Sequence, residues 1–466
     1  MAEEITPEVV QEERELGTKP IAPLFVKYAL TSLAGMIAQI IMVVLEGMVM
    51  GRGLGAHGLA CVSIIISVEL INLAVGGALG IGVSAVVGAK LGAGDHDGAQ
   101  RAFGKGFWLT LYVSVALMLL IELFAGPLVT ILGATPDIYV DALIGVRIFV
   151  AFFPLTIVGQ MLCAVLRVDE KPRVAAGLQI ASAIIAISFL ACSTFIMQWG
   201  VAGAGIYFGL TIAVWAGAFF WFVGEGKGKA SLKIRMQGRG VDPALAKEFV
   251  KIGFPYFCLQ AASSIYTAVI NNRLAALGSS MDLAVFAIIN GYVIYVLMLF
   301  VMALGFASQA IASFNNGARN WGRLIELMRV QLIYEVVFMG ACSAMVCLFP
   351  EAFCSLFAAG DAELLAAAAP AVRIVVALCA LGYTGSVMSS YFECVERIGE
   401  AIVCGIALYV IFTIPLVFAF GALMGVDGVW WAQLVANIGA GALSIVLAIR
   451  EVRRLRILAT SESEEG

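Results

Sequence analysis

Two glutamates lie inside long apolar runs near the start of the chain. Glu46 stands in IIMVVLEGMVMGRGLG (40–55), and Glu69 stands in SIIISVELINLAVGG (63–77). A charge at the centre of a lipid bilayer costs at least about 2.5–3.5 kcal/mol, so a carboxyl there is a candidate functional group. Two neighbouring carboxyls in a medium of low dielectric do not both ionise easily, and they would share a proton or bind a cation. The alternative for Glu46 is a protonated carboxyl that only hydrogen-bonds a neighbouring helix.

The spacing of these residues predicts how a helical hairpin would position them. The centre of the hairpin falls at residues 57–58, so both glutamates lie about 17 Å from the turn at a rise of 1.5 Å per residue. Gln39 precedes Glu46 by two helical turns, and Asn72 follows Glu69 by one turn, so each pair shares a helix face. These four side chains are therefore predicted to form a polar pocket that couples transport to protons or cations.

The composition places these runs in a membrane protein. Of the 466 residues, 62% are hydrophobic and 13% are charged, whereas soluble domains are about 45–50% apolar and about 25% charged. Windows of about 20 residues without Lys, Arg, Asp or Glu are typical of transmembrane helices. The chain is therefore predicted to be an all-α polytopic membrane protein.

The same composition argues against several classes of function. The net charge is −4 and the basic residues are confined to particular loops, which is unlike a nucleic-acid-binding surface. Ten cysteines are scattered through apolar stretches without a CxxC motif, so we expect no metal site and no disulfide. The sequence has no HExxH motif, no paired aspartate motif and no intramembrane histidine, which argues against a membrane-embedded enzyme.

Twelve apolar segments predict twelve transmembrane helices. They cover residues 24–53, 59–89, 107–132, 139–166, 174–197, 201–223, 249–275, 283–311, 330–350, 367–392, 401–424 and 428–449. Loops that carry Lys and Arg alternate with loops that nearly lack them, and a strongly basic loop (224–240) joins the sixth and seventh helices. By the positive-inside rule, both termini and this central loop are cytoplasmic.

An internal repeat divides the chain into two halves. VRIFVAFFPL (146–155) corresponds to VRIVVALCAL (372–381) at an offset of 226 residues, and residues 80–95 match residues 305–320 at nearly the same offset. Because six is an even number, both copies enter the membrane from the same side and form two six-helix lobes related by a pseudo-twofold axis along the membrane normal. The predicted division is an N-terminal tail (1–23), a first lobe (24–223), a linker (224–248), a second lobe (249–449) and a C-terminal tail (450–466).

Four segments, in this order, resemble the MATE family of multidrug and toxic compound extrusion transporters. They are GIGVSAVVGAKLGAGD (80–95), LRVDEKPRVA (166–175), GFASQAIASFNNGARN (305–320) and GVDGVWWAQ (425–433). The resemblance extends over almost the whole chain and is closest to bacterial members of the DinF-type branch. It implies a cation-coupled antiporter that exports organic, often cationic or amphipathic, compounds.

The resemblance also implies roles for particular residues. Glu46 occupies the position at which these transporters usually carry an aspartate on helix 1. An asparagine and an aspartate on helix 5 complete the site in the family, and the corresponding residues here are Ser188 and Cys192. The second acid of the usual site is therefore absent, and we expect Glu69 to substitute for it. This arrangement favours H⁺ over Na⁺ as the coupling ion.

The first helix of the second lobe contains polar residues but no acid. By the repeat offset, Asn271 and Asn272 lie near the counterpart of Glu46, where a helix-end cap is the alternative role. Buried glutamines in a membrane bundle often serve only to join helices. The predicted substrate cleft comprises Gln260, Tyr266, Asn271, Asn272 and Gln309.

These inferences predict a secondary active exporter in the cell membrane. It would exchange organic compounds for protons by alternating access of its two lobes, with no cofactor, no metal and no nucleic-acid partner. Its expected partners are the bilayer and a small organic substrate, and it is expected to act as a monomer. One alternative is a lipid-linked oligosaccharide flippase of related fold, although flippases usually carry more basic residues in the cleft. Another is a non-transporting receptor or scaffold, against which the duplicated halves argue.

Overall fold

The computed structural model describes residues 14–213, 222, 231–234, 239–355 and 362–465. All regular secondary structure within these ranges is helical, which confirms the predicted all-α class. Residues 224–230 and 235–238 of the predicted linker (224–248) and the first part of the predicted N-terminal tail lie outside the described residues.

Twelve helices and bent helix pairs of the described residues, numbered here in chain order, correspond to the twelve predicted spans. The first lobe contains α1 (Ile21–Met50), α2 (His57–Gly92), α3 (His96–Leu123), α4 (Tyr139–Ala151 and Phe153–Val168), α5 (Pro172–Phe195) and α6 (Gly200–Ala213). The second lobe contains α7 (Pro243–Leu277), α8 (Met281–Gly317), α9 (Trp321–Leu348), α10 (Ala362–Val376 and Cys379–Cys394), α11 (Ile398–Met424) and α12 (Val426–Glu465). Among the described residues, eight helices are each long and apolar enough to cross a membrane, and the bent pairs α4 and α10 bring the number to ten.

A glycine sets the turn between α1 and α2. Gly55 has φ 63° and ψ −168°, a conformation that residues with a Cβ rarely adopt. The turn therefore precedes the predicted hairpin centre at residues 57–58. As a result, Glu46 and Glu69 differ by five residues in their distance from the turn, about 7.5 Å along a helix, whereas the sequence predicted equal distances.

Each lobe contains one sharply bent helix at the same place in the repeat. α4 bends by 47° at Phe152, and α10 bends by 54° next to Leu378. These two residues are separated by the repeat offset of 226. Leu378 has a left-handed φ of 59°, which ends one helix and redirects the next. The shared bend supports the relation between the two lobes that the sequence predicted.

The two lobes pack together at one end of the bundle. We call this end the basic face, because it carries the N-terminal segment and the loops after the even-numbered helices, which hold most of the Lys and Arg residues. One apolar core joins the second lobe to first-lobe residues near this face, such as Val83 and Phe103. A separate core contains the rest of the first lobe, including Cys61 and Phe149. The cleft between the lobes is therefore closed at the basic face and open toward the opposite face.

Glycines allow α2 and α8 to touch backbone to backbone at the basic face. A Cβ on Gly92 would lie 1.9 Å from the carbonyl oxygen of Phe314, and a Cβ on Gly317 would lie 1.7 Å from that of Ala89. The two contacts are equivalent under the internal repeat, because Gly92 matches Gly317 and Ala89 matches Phe314. We call this reciprocal contact the glycine crossing. It closes the cleft by bringing the backbones of α2 and α8 closer together than any residue larger than glycine would permit.

The N-terminal segment bridges the two lobes across the same face. The N–H of Leu16 donates to Glu170 Oε1 of the first lobe at 2.8 Å. Its carbonyl oxygen accepts from Asn315 Nδ2 and Arg323 Nη2 of the second lobe, each at 3.0 Å. Burial raises the pKa of Glu170, and the Leu16 side chain is fully buried. Leu16 therefore packs against both lobes, within the segment that the sequence predicted to be the N-terminal tail (1–23).

Candidate functional site

The structure brings the two predicted acids together between α1 and α2. Glu46 and Glu69 are both half-buried, and their carboxyls lie within electrostatic reach of each other. The hydroxyl of Tyr207, on α6, donates to Glu46 Oε2 at 2.9 Å. Glu46 thus has a fixed hydrogen-bond donor on one side and a second acid on the other.

Two tyrosines that the sequence analysis missed complete this group. Tyr207 is fully buried in the first lobe. Tyr295 belongs to α8 of the second lobe, is 44% exposed and lies within electrostatic reach of both acids. We call Glu46, Glu69, Tyr207 and Tyr295 the acid cluster. The only sequence signal for Tyr207 was a phenol within the apolar run GIYFGL (205–210), and sequence alone does not give the face of α6 on which it lies.

Asn72 is turned away from the acids and into the first lobe. It is fully buried, its Nδ2 donates to Thr156 Oγ1 at 2.7 Å, and its Oδ1 accepts from Gln160 Nε2 at 3.0 Å. These bonds join α2 to α4. The arrangement gives Asn72 a part in packing the lobe, and among the described contacts its side chain does not bond to Glu69.

The two α5 positions implied by the resemblance do not reach the acids. Ser188 is exposed and its hydroxyl donates to the carbonyl oxygen of Ile184, one turn earlier on the same helix, at 2.7 Å. Cys192 is half-buried as a free thiol. Among the contacts of the described residues, neither side chain bonds to Glu46. The structure therefore supplies Tyr207 where the resemblance implied ligands on α5.

The predicted cleft residues of the second lobe fall in three different environments. Tyr266 lies inside this lobe, where its hydroxyl donates to Gln433 Oε1 at 2.6 Å, so its predicted place in the cleft is wrong. Asn271 and Asn272 are exposed near the end of α7, and Gln260 is half-buried on the same helix. Gln309, only 7% exposed, does line a cavity between the lobes.

This interlobe cavity has a volume of about 90 Å³ and lies between the acid cluster and the basic face. Residues of both lobes line it. Gln39, which the sequence analysis placed in the coupling pocket, lines this cavity instead, seven residues away from Glu46 on α1. The polar side chains of the lining are Gln39, Gln160, Arg167, Gln179, Tyr256 and Gln309.

Arg167 is the unexpected member of this lining. The predicted fourth span ends at residue 166, which leaves Arg167 in a loop, but it lies in the last turn of α4 and is only 8% exposed. Its guanidinium lies 3.9 Å from the ring centre of Phe306 in the second lobe. Glu393, its equivalent at the repeat offset of 226, is 1% exposed and accepts a bond from Ser389 at 3.4 Å. The interior of the bundle is therefore not exclusively acidic.

A further acid is enclosed in the second lobe. Glu335, in the middle of α9, is 0% exposed, and neither of its carboxyl oxygens has a hydrogen-bond partner among the described residues. A buried polar group without a partner carries a desolvation cost of about 1–3 kcal/mol.

Replacing Glu335 with Leu is expected to stabilise the protein. The substitution removes the unpartnered carboxyl at nearly constant volume, and we expect a gain of about 1–3 kcal/mol. The midpoint of thermal unfolding in detergent, followed by intrinsic fluorescence, should rise by a few degrees. Glu335→Gln is the matched control, since it keeps an unpartnered polar group and should leave the midpoint near that of the wild type. A lower midpoint for Glu335→Leu would show that the carboxyl has a stabilising partner.

A family model described as MatE matches residues 23–192 and 255–419. Multidrug export protein MepA of Staphylococcus aureus (strain NCTC 8325 / PS 47) is 23% identical over 455 residues, which cover 96% of this chain and 97% of that protein. Multidrug export protein MepA of Staphylococcus haemolyticus (strain JCSC1435) is 20% identical over 434 residues, or 92% of this chain and 94% of that protein.

Solved structures share the fold at low sequence identity. One is described as the outward-facing conformation of a multidrug resistance MATE family transporter of the MOP superfamily. It has a TM-score of 0.88 at 18% identity and covers 95% of this chain and 98% of that chain. A second, a MOP superfamily transporter from Pyrococcus furiosus Vc1 described as having a binding pocket of reverse polarity, gives the same TM-score, identity and coverage. These likenesses establish the arrangement of twelve helices in two lobes.

Proposed function

The chain belongs to the MatE family, and from that premise we propose that it is a secondary active antiporter that exports organic compounds in exchange for protons. The acid cluster is the observation that carries this proposal. It places two carboxyls of the first lobe on the open side of the cleft, with a phenol of the second lobe close to both. The printed names of the relatives, which are multidrug export proteins, support the same class of cargo.

The proposed coupling rests on competition for Glu46. When Glu46 is ionised, the bond from Tyr207 stabilises the carboxylate, which then attracts a cationic cargo. A proton that enters from the open face and binds Glu46 or Glu69 removes that attraction, and the cargo is released. Because two adjacent carboxyls carry one negative charge more easily than two, Glu69 favours binding of the first proton by the pair.

The geometry favours protons over sodium as the coupling ion. Na⁺ is a hard cation and would need several oxygen ligands around it, as hard cations generally do. In the described contacts, Ser188 does not reach Glu46 and Cys192 offers a thiol in place of an oxygen. A pair of carboxyls with a phenol donor can bind a proton without any further ligand.

We further propose that the basic face is cytoplasmic and that the protein lies in the cell membrane as a monomer. The positive-inside rule assigns Lys- and Arg-rich loops to the cytoplasm. On this orientation the cleft opens to the outside, where protons enter and cargo leaves. Opening of the basic face would then expose the cleft to cytoplasmic cargo.

Transport into proteoliposomes tests the proposal. Vesicles with an acidic lumen should accumulate a fluorescent organic cation such as ethidium, because protons leave as the cation enters. We expect accumulation clearly above that in protein-free vesicles, because an antiporter couples cargo entry to proton exit, and no accumulation when only a sodium gradient is imposed. Accumulation driven by sodium alone would contradict proton coupling. Failure of both gradients would favour the lipid-linked oligosaccharide flippase or the scaffold.

A further inference from the structure

Arg167 is a buried charge without a carboxylate partner. It is 8% exposed, and within the part of the chain that the structure describes no carboxylate lies within 4 Å of its guanidinium. Its contact with the face of Phe306 is a cation–π interaction, which leaves the edge of the guanidinium and its N–H donors unused. A buried charge that lacks a counter-charge is strongly destabilising, so its position calls for a ligand of opposite charge.

The nearby carboxyl groups accept hydrogen bonds from other residues and do not pair with Arg167. Asp169 accepts from the backbone N–H of Ser231 at 2.9 Å and from its hydroxyl. Glu170 accepts from the N–H of Leu16. Glu393, on α10, accepts a bond from Ser389 and forms no ion pair with Arg167 among the described residues. None of these carboxyls neutralises Arg167.

The rest of the cavity lining presents further hydrogen-bonding groups. Gln179 is 4% exposed, and its amide has no hydrogen-bond partner among the described residues. Its side chain fits only because Gly35 faces it, since a Cβ on Gly35 would lie 2.0 Å from Gln179 Oε1. Gly77 makes the same kind of space for Tyr256, with a Cβ-to-ring distance of 2.3 Å. The glycines of α1 and α2 thus admit polar side chains around a small enclosed volume.

The volume of the interlobe cavity and its hydrogen-bond donors indicate the class of ligand. About 90 Å³ holds a carboxylate with its neighbouring atoms, but not a drug-sized molecule, whose pockets are about 300–1,000 Å³. A guanidinium presents donors in a fork that matches a carboxylate, and such charge-assisted bonds are stronger than neutral ones. The body of the ligand would extend from Gln39 toward Glu46, about 10 Å along α1 at 1.5 Å per residue.

We propose that the interlobe cavity binds the carboxylate of an acidic or zwitterionic cargo through Arg167, with Gln179 and Gln309 as additional donors. This inference rests on the proposed function, because it names the class of cargo that the exporter carries. It extends the cargo beyond the cations that the acidic residues alone would favour. Its test measures equilibrium binding, which does not depend on the coupling ion.

The experiment compares two dansyl probes that differ only in the carboxylate. Dansyl-phenylalanine carries the acid and dansyl-phenylalanine amide is neutral, and the change in dansyl fluorescence reports binding to the purified full-length protein in detergent without anionic lipid. We expect the wild type to bind the acid at least tenfold more tightly than the amide. Arg167→Gln should remove that preference without changing the affinity for the amide, and Arg167→Lys should retain part of it.

The controls separate the possible outcomes. Arg147→Gln is the matched control, because Arg147 is a half-exposed arginine that pairs with Glu122 at 3.5 Å and does not line the cavity, so its acid preference should match the wild type. Equal affinity of the wild type for both probes, or an unchanged preference in Arg167→Gln, would overturn the proposal. So would loss of acid binding on addition of one equivalent of phosphatidylglycerol, which would assign the cavity to a lipid headgroup.

The design also covers variants that fold poorly and a failure of the proposed function. Thermal unfolding of each variant shows whether it is folded, and the wild-type comparison of the two probes stands even if Arg167→Gln does not fold. Proton-driven transport of ethidium with no acid preference would overturn only the carboxylate site. An acid preference without proton-driven transport would overturn only the coupling proposal.

Discussion

Replacing Glu46 with Gln is expected to abolish proton-driven accumulation of ethidium, because an intramembrane carboxyl is the group that exchanges the proton. The initial rate of ethidium uptake should fall by at least about tenfold, to the leak rate of protein-free vesicles. Glutamine nearly preserves the shape of the side chain and still accepts the bond from Tyr207. It neither binds nor releases a proton between pH 4 and pH 9. The loss should therefore appear at every pH gradient, while binding of the neutral dansyl amide remains as in the wild type.

Variants of the neighbouring residues refine this result. Glu69→Gln should reduce accumulation less than Glu46→Gln, because Glu46 retains its donor. Tyr207→Phe removes that donor and should shift the pH at which accumulation is half-maximal upward, because the ionised form of Glu46 loses its hydrogen bond. Glu122→Gln is the matched control, since Glu122 pairs with Arg147 away from the cluster. Full accumulation by Glu46→Gln would refute the assigned role of this residue.

Replacing Gly317 with Val is expected to force the basic face open. A Cβ at this position would lie 1.7 Å from the carbonyl oxygen of Ala89, so α2 and α8 must separate by more than 1 Å at the glycine crossing. Overpacking of this kind costs about 1–3 kcal/mol. This cost corresponds to a change of roughly 5- to 150-fold in the equilibrium constant between the closed and the open basic face. Hydrogen exchange of the backbone amides near Gly92 and Phe314 should accelerate by a similar factor.

A glycine close by in the chain provides the control for this experiment. A Cβ on Gly322, near the start of α9, meets no heavy atom within 4 Å, so Gly322→Val should leave exchange at the crossing unchanged. Gly92→Val should reproduce the effect of Gly317→Val, because the repeat makes the two contacts equivalent. Unchanged exchange in both Gly92→Val and Gly317→Val would mean that the crossing does not hold the basic face closed.

Much of the fold was predictable from the sequence because its determinants are local or periodic. Uncharged windows predicted the number of helices, and the offset of 226 predicted two related lobes, a relation that the equivalent bends at Phe152 and Leu378 support. The depths of Glu46 and Glu69 in the membrane were predicted less accurately. The turn at Gly55 lies before the predicted centre at residues 57–58, because this glycine supplied the backbone angles that the turn required.

The site was harder to predict because sequence gives the depth of a residue but not the rotation of its helix. Glu46 and Glu69 were found from their cost in an apolar run, yet Tyr207 became apparent only once α6 was placed beside α1. Arg167 appeared to belong to a loop, since it stands at a helix end beside DEK (169–171). Its burial depends on contact between the lobes, which no local sequence pattern predicts.

The repeat-related pair Arg167 and Glu393 has an electrical consequence. Two lobes of the same architecture carry a basic and an acidic side chain at one equivalent position, both nearly free of solvent. Such a pair, whose members both lie within electrostatic reach of Tyr256, makes a field that points from the lobe of Arg167 to the lobe of Glu393. A field of this direction is absent from a truly symmetric duplication. It would orient a polar cargo molecule in the middle of the protein, with its positive and negative ends toward different lobes, before the cleft opens to either side of the membrane.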